Sequence, residues 1–436
     1  MREPPSSPHF LSPRNTLAMA SAMGVTIGIS LHNPLVLCVG AMLGVALALA
    51  FVHASGLLKG IQVARVHTAR AFEGQTVPVS IEIESHSRLS QGLVLIEDSF
   101  PPSGPGRVLH LVERPFGRGQ KLFVHYNGEC NRHRGLYSIG PLLLEAYDAL
   151  GLVRRRVHFE EFTPLLLYPA SIDLEGTRVH GRGTQFHVGL ETYRRPGQSE
   201  EFTAVREYHY GDGPNTIHWR STARRGVPMV KEFREDLTTD VSIFLDMGRM
   251  GQTGIGDQTT IEYAIKAAAS IARRAYNRGF AMQLFAVGPE IEHIPLGRGA
   301  RHLLMILDSL ALLKVEGASR FDAAVMEHGT RLRRGGTVVL IQGATTVEPA
   351  SISQIIPRLL QRRIQVICVL VDDRQFVKLF REQEDRHYAA SPIETTAALL
   401  AELGARVHVL KRAADPIEGM RMGLETVHDG RSGNGR

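Results

Sequence analysis

Cysteine, tryptophan and nucleotide-binding loops are scarce or missing from this chain. Only three cysteines occur in 436 residues, Cys38, Cys130 and Cys368. They are odd in number and far apart, so they build neither a disulfide framework nor a zinc knuckle, which fits a reducing compartment. No Gly-x(4)-Gly-Lys-Ser/Thr segment is present, and Gly181-x-Gly183 lacks the flanking strand and helix that a nucleotide fingerprint needs. A sustained basic tract is also lacking. The formal charge is +6, but the arginines stand in pairs and triplets such as 154–156, 194–195, 224–225 and 333–334, and aromatics make up 6% of the chain. Scattered charges of this kind read as solvated faces, with anionic lipid or an acidic protein as the alternatives, and no nucleic-acid partner is expected.

Long uncharged runs are rare too, and the two that exist are adjacent. Leu17 to Leu31 and Leu35 to Val52 carry no charge and are separated by His32-Asn33-Pro34, a turn signal where a helix should stop. Together they predict a transmembrane helical hairpin over residues 15–58, crossing a hydrocarbon layer of roughly 30 Å twice. Gly24, Gly28, Gly40 and Gly44 allow the helices to approach closely. Arg2 and Arg14 precede the pair, while Lys59 and Arg65 follow it. Positive charge on both flanks places both ends on the cytoplasmic side, with the bulk of the chain cytoplasmic. A cleaved leader is the weaker account, because it leaves the second run unexplained. Buried helices of a soluble fold are another.

At about 150 residues per domain the remainder holds two or three cores. Residues 1–14, rich in proline, read as a flexible tail. Between 59 and 169 the apolar residues alternate with period two, as in Val77, Val79, Ile81 and Ile83, with further strands at 93–96, 107–112 and 121–126. That pattern predicts half-buried antiparallel sheets, most economically a β-sandwich-like domain. Residues 170–235 form a linker and motif region whose first part, glycine-rich and polar through Gln198, reads as a long loop. From 236 to 412 apolar strands (241–245, 282–287, 337–341, 365–371, 406–410) alternate with helical stretches (261–276, 302–313, 321–332, 352–362, 395–403). Such alternation predicts an α/β domain with a mostly parallel sheet, whose ligands would lie beyond the carboxyl ends of its strands, beside Asp246. Residues 413–436 read as a polar tail.

The most distinctive stretch is Arg206-x-Tyr208-x-x-Gly211-Asp212-x(4)-Ile217-His218-Trp219, continued by Ala223-Arg224, and it contains the only tryptophan. Arg206 and Asp212 are expected to pair across the Gly211 turn, with Trp219 packed beneath and Arg224 reaching a carboxylate. Such a network would have a structural or docking role. The enzymatic alternative is a metal-independent hydrolase centred on Asp212, with Asp212 or His218 as the acid-base group. It lacks a nucleophile, so no catalytic residue is assigned, and His209 and His218 read as ordinary polar residues.

These residues resemble the bacterial DUF-58 family, domain of unknown function 58, whose motif has the form R-x-Y-x-x-G-D-x-x-R-x-I-x-W-x-x-x-A-R. Asn215 stands where the family usually has arginine. The resemblance implies that the α/β domain is von Willebrand factor A-like, a Rossmann-like fold. It also implies a membrane-tethered adaptor, a protein-binding partner of a MoxR-type AAA+ ATPase, with a transglutaminase-like membrane protein as a second possible partner and membrane lipid around the anchor. The ion site of such domains begins Asp-x-Ser-x-Ser, whose oxygens suit a hard cation. Here the sequence is Asp246-Met247-Gly248-Arg249-Met250, and Gly343 stands where a later aspartate is usual. Asp246, Gly248, Met250 and Gly343 therefore mark a degraded metal site, and no metal or cofactor is expected.

Overall fold

The computed structural model describes residues 13–87, 90, 93–170, 196–209, 213, 217–234, 240–248, 253–255, 258–315, 317–318, 320–372, 393–410 and 425–426. The chain divides into two compact units, residues 1–168 and 169–436.

The first unit opens with helices α1 (Pro13–Ser30) and α2 (Pro34–Gly56). The Asn33 side chain caps α2, accepting from the Leu35 and Val36 amides, and Pro34 occupies the first turn, where its missing N–H costs nothing. The glycines set the helix spacing. A Cβ at Gly40 would lie 2.5 Å from the Val25 nitrogen, and the Ser21 hydroxyl donates to the Gly40 carbonyl at 2.8 Å. Of the two helices, α2 alone is long and apolar enough to cross a membrane by itself among the described residues.

Ten strands follow: β1 (Ile61–Val66), β2 (Arg70–Phe72), β3 (Thr76–Ser85), β4 (Val94–Ser99), β5 (Arg107–Val112), β6 (Lys121–Glu129), β7 (Gly135–Ile139), β8 (Leu142–Tyr147), β9 (Arg154–Phe159) and β10 (Thr163–Tyr168). They form sheets of order β1-β3-β6, β5-β4-β8-β9 and β2-β10-β7. Val77, Val79, Ile81 and Ile83 point into one core with Val94, Ile96, Leu142, Leu144 and Leu165. Ala50, Ala54, Leu57 and Leu58 belong to the same core, so the end of α2 is packed into the sheets.

Strand β4 runs past Ile96, where the apolar pattern stops, and turns Asp98 inward. Its carboxylate is completely buried, 2.5 Å from the Arg65 guanidinium, and also accepts from the Tyr126 hydroxyl at 2.7 Å. Arg65 reaches the Ile139 and Glu161 carbonyls as well, at 3.0 and 3.1 Å. Arg65 is therefore not a flanking charge for lipid, because its guanidinium is committed to the core, whereas Lys59 is exposed. Two arginines of the basic triplet on β9 share one buried carboxylate. Arg156 donates to the buried Glu145, and Arg154 lies 3.6 Å from the same carboxylate.

In the second unit an antiparallel ribbon pairs β11 (Pro196–Glu207) with β12 (Met229–Arg234), and the short helix α3 (Trp219–Arg225) lies between them in the chain. The motif part of the 170–235 region is thus built on a two-stranded ribbon and a short helix. The region's glycine-rich stretch at 171–195 lies outside the described residues. The sheet that follows has seven strands in the order β17-β16-β13-β18-β19-β20-β21. They are β13 (Val241–Asp246), β16 (Met282–Val287), β17 (Ile291–Gly297), β18 (Thr337–Gly343), β19 (Gln365–Val371), β20 (Arg406–Leu410) and β21 (Glu425–Thr426). β14 (Gly254–Ile255) and β15 (Gln258–Thr259) form a separate small hairpin. β16, β13, β18, β19 and β20 are mutually parallel; β17 and β21 close the edges antiparallel. The expected polar tail thus contributes β21, whose backbone pairs with the otherwise open edge of β20.

The helices are α4 (Thr260–Asn277), α5 (Ala300–Leu312), α6 (Phe321–Gly329), α7 (Pro349–Gln361) and α8 (Ile393–Glu402). Thr259 caps α4, its hydroxyl accepting from the Glu262 amide at 3.4 Å. α6, α7 and α8 cover the sheet face that carries Phe244, Val338, Leu340, Val366 and Cys368.

Gly40→Val should push α1 and α2 apart, because overpacking a backbone contact leaves no rotamer that fits. In a Cys38→Ser background, a Ser21→Cys/Gly44→Cys pair should cross-link readily, and adding Gly40→Val should abolish the cross-link. Asp98→Ala should destabilise the first unit by about 3 to 5 kcal/mol, since it strands a buried guanidinium. Urea unfolding of the detergent-solubilised chain measures this, and a loss below about 1 kcal/mol would contradict burial of the pair.

Candidate functional site

The motif residues are held by backbone pairing and helix caps. Arg206 pairs with Val230 and Glu207 with Met229 across the ribbon, while Ile217 bridges Val230 from the other side. The chain then enters α3 through His218, whose Nδ1 accepts from the Ser221 amide at 3.3 Å and lies 2.7 Å from the Ser221 hydroxyl. Thr222 donates to the His218 carbonyl at 3.2 Å and accepts from the Met229 amide at 2.9 Å, tying the helix to β12. Gly226 ends the helix with φ of 75°, the left-handed conformation that glycine adopts without strain. His218 is therefore a structural cap, a role that the sequence signalled only by Ser221 and Thr222 following it.

This geometry corrects the expected packing of Trp219. Trp219 does not pack beneath the motif. It is 71% exposed, because α3 is fastened at its ends and buries no residue of its own. Arg224 has no carboxylate within ion-pair distance among the described residues, and it stands exposed on α3 with Arg220, Ala223 and Arg225. Tyr208 and Val227 are 39% and 42% exposed. Arg206 is half-buried and reaches the Glu207 carbonyl at 3.1 Å and His209 Nδ1 at 3.2 Å. Gly211, Asp212 and Asn215 lie outside the described residues, and with them the Arg206–Asp212 pairing. What the structure brings together is an indole with three guanidinium groups on one short helix capped at both ends.

The second candidate lies at the carboxyl ends of β13 and β18. Asp246 is buried and its Oδ1 accepts from the Gly248 amide at 3.0 Å, so the carboxylate closes its own turn. With Gly248, Gly343, Thr260 and Thr346 it lines a cleft of about 20 Å³, room for roughly one water molecule. Gly248 and Gly343 supply no side-chain ligand, and the Thr346 hydroxyl is bonded to the Gly343 carbonyl. Met250 lies outside the described residues. Among the described residues no three His, Cys, Asp or Glu side chains converge on a point where a metal ion would sit. The donor set thus does not fit the hard cation of an Asp-x-Ser-x-Ser site.

Acidic residues do gather near this end. Burial pushes the Asp322 carboxyl above its usual range, Ser351 opposes the shift by a hydrogen bond, and Glu348 and Asp246 add to it. The two buried thiols, Cys130 and Cys368, are pushed up by burial to about 11 and about 12, which keeps them protonated and inert. A larger cavity at the opposite strand ends was not foreshadowed by any spacing motif, since its lining comes from β13, β16, β17, β18 and α6.

Because its folded-state pKa is raised, Asp322 contributes most at a pH below the ordinary carboxylate value, and this contribution is lost as pH rises through the raised value. Asp322→Asn should therefore raise the melting temperature at pH 7, and the gain should vanish near pH 3. Thermal melts at the two pH values measure it; equal or lower stability of the variant at pH 7 would contradict the shift.

Comparison with known proteins supports the same region. Residues 204–381 match the family described as "Protein of unknown function DUF58", a span that includes Arg206, Trp219, Arg224, Asp246 and Gly343. The uncharacterized protein YeaD of Bacillus subtilis (strain 168) is 24% identical over 223 residues, covering 51% of this chain and 54% of its own length. The chain thus spans about half the length of this curated relative. Among solved structures, a β-glucosidase from Listeria innocua aligns with 22% of this chain and 16% of its own, at 9% identity and a TM-score of 0.14. A Parabacteroides merdae β-glucuronidase aligns with 84% and 34%, at 7% identity and a TM-score of 0.18. Likenesses this shallow carry no argument about fold or chemistry. Residues 204–381 are similar to the DUF58 family, whose description assigns no function.

Proposed function

We propose that this chain is a membrane-anchored, non-catalytic adaptor that docks a protein partner through the exposed face of α3. The observation that carries the proposal is Trp219, 71% exposed beside Arg220, Arg224 and Arg225 on a helix capped at both ends. Tryptophan and arginine dominate the energetics of protein interfaces, and a large indole left in water on a rigid element stabilises a complex when it is covered. The surplus of guanidinium groups selects an acidic counterpart. The partner that the family resemblance implies is a MoxR-type AAA+ ATPase, which supplies the energy-using machinery that this sequence lacks, with a transglutaminase-like membrane protein as a second candidate. The process served would be protein assembly, maturation or an envelope-related one.

In this proposal α1 and α2 form a hairpin that crosses the bacterial inner membrane twice and leaves the rest of the chain in the cytoplasm. Their exposed surfaces are rich in large apolar side chains, Met19, Met23, Ile29, Leu35, Met42 and Leu49 among them. The second unit would be a von Willebrand factor A-like domain whose ion site has been lost, so docking would proceed without a divalent cation.

Binding of a purified MoxR-type ATPase to the full chain in detergent tests the proposal. Trp219→Ala and Arg224→Glu should each weaken binding at least about tenfold while leaving the melting temperature unchanged. Undiminished binding by both variants would sink the docking role of α3. A measurable hydrolytic turnover lost in Asp212→Ala, with binding intact, would favour catalysis instead.

A further inference from the structure

A cavity of about 410 Å³ opens at the amino ends of β13 and β18, the opposite strand ends from Asp246. Its polar floor holds an unusual carboxylate. Asp240 is 8% exposed; its Oδ2 lies 3.6 Å from Arg333, while its Oδ1 has no hydrogen-bond partner among the described residues. A buried acceptor left unmatched costs about 1 to 3 kcal/mol, so this oxygen favours any ligand that brings a donor. Beside it Ser242 accepts from the Gln283 amide at 2.7 Å, which leaves the serine's own hydroxyl hydrogen available to an acceptor. The floor therefore offers an anionic acceptor next to a neutral donor.

The walls combine aromatic rings, two of them imidazoles, with aliphatic side chains. Phe285 stands between Phe244 and His293 in a stack with centroid separations of 4.5 and 4.2 Å, and His328 of α6 tilts against it at 5.0 Å. Leu332 and Val338 complete the lining. At the mouth stand Arg331 and Arg333, both exposed; Arg333 lies against Asp240, and Arg331 shares its guanidinium with Glu327 at 3.5 Å on the outer surface. A ligand matched to this arrangement has a planar ring, adjacent N–H donors beside a carbonyl on one edge, and an anionic group at the other end.

We propose that the cavity binds a guanine mononucleotide, with the N1–H and 2-amino group on Asp240, the 6-carbonyl on Ser242 and the phosphate toward Arg331. Adenine fits badly, because its N1 lone pair would face the carboxylate. Ring nitrogens and amides are neutral donors, so the pairing is charge-assisted and favourable in a low-dielectric floor. This site is independent of the α3 surface, and its ligand would act as a regulatory effector of the unit that contains both.

Isothermal titration of the full chain in detergent with GMP, guanosine and AMP tests the assignment. GMP should saturate a single site, with AMP weaker by at least about tenfold. Asp240→Asn should weaken GMP by a similar factor, and Arg331→Ala should weaken GMP while leaving guanosine unchanged. Ser242→Ala, which removes only the donor to the carbonyl, is the second variant should Asp240→Asn melt below the assay temperature. Absence of saturation by GMP below about 1 mM, wild-type affinity in the floor variants, or equal binding of AMP would overturn the proposal. A guanine-rich single-stranded oligonucleotide binding more tightly than GMP would also overturn it, by making the site one for nucleic acid.

Discussion

The buried pair between Arg65 and Asp98 is the constraint on which the first unit is assembled. Asp98 belongs to one sheet and Arg65 to another, and the same guanidinium reaches the Ile139 carbonyl on β7, which belongs to the third. Neither charge is tolerable alone in the core, since an unpaired buried ion costs several kcal/mol. The three sheets can therefore close only in the arrangement that brings both together. The consequence extends to the anchor. β1 starts shortly after α2 ends, and Leu57 and Leu58 are buried in the core that surrounds the pair. No flexible joint separates the apolar helix from the β domain, so the direction in which α2 leaves the sheets is fixed by packing.

Legibility in the sequence followed burial. The central strands of the second unit were readable almost to the residue at Met282–Val287, Gln365–Val371 and Arg406–Leu410. Buried parallel strands are continuous apolar runs, and they stop at breaks such as Gly288-Pro289 or Asp372. Edges were not readable. In β17 only Ile294 is buried, so no alternation announces a strand, and β21 is defined by two backbone pairs. The ribbon of β11 and β12 is charged on both strands, and its register is set by main-chain pairing that side-chain periodicity does not reveal. Asp98 escaped for a related reason. An acid in an inward position looks like the end of a strand until its partner, 33 residues earlier, is placed beside it.

Trp219 shows where a rule of hydrophobicity misleads. A lone tryptophan among arginines invites the inference of a buried anchor, because burial of an indole is ordinarily the largest single gain available. That gain requires a neighbouring layer, and α3 has none of its own. The hydrogen bonds of His218, Ser221 and Thr222 and the left-handed Gly226 hold it in place instead. The candidate strand-end site was legible for the opposite reason: its deficiencies are missing side chains, and Gly248 and Gly343 are glycines in any conformation.

The two ends of the parallel sheet then divide the chemistry unequally. At the carboxyl ends Asp246 spends an oxygen on the Gly248 amide, and the cleft beside it has room for little more than a water molecule. A ligand there would have to open the turn that the carboxylate itself closes. Exposed apolar surface is left instead at Trp219 of α3, a helix capped at both ends. An exposed side chain on a mobile loop must be ordered before it binds, and each immobilised side chain costs on the order of 0.5 to 1.5 kcal/mol. The caps of α3 meet the backbone share of that cost during folding, so covering Trp219 requires a partner of complementary shape and charge with little rearrangement of the helix that presents it.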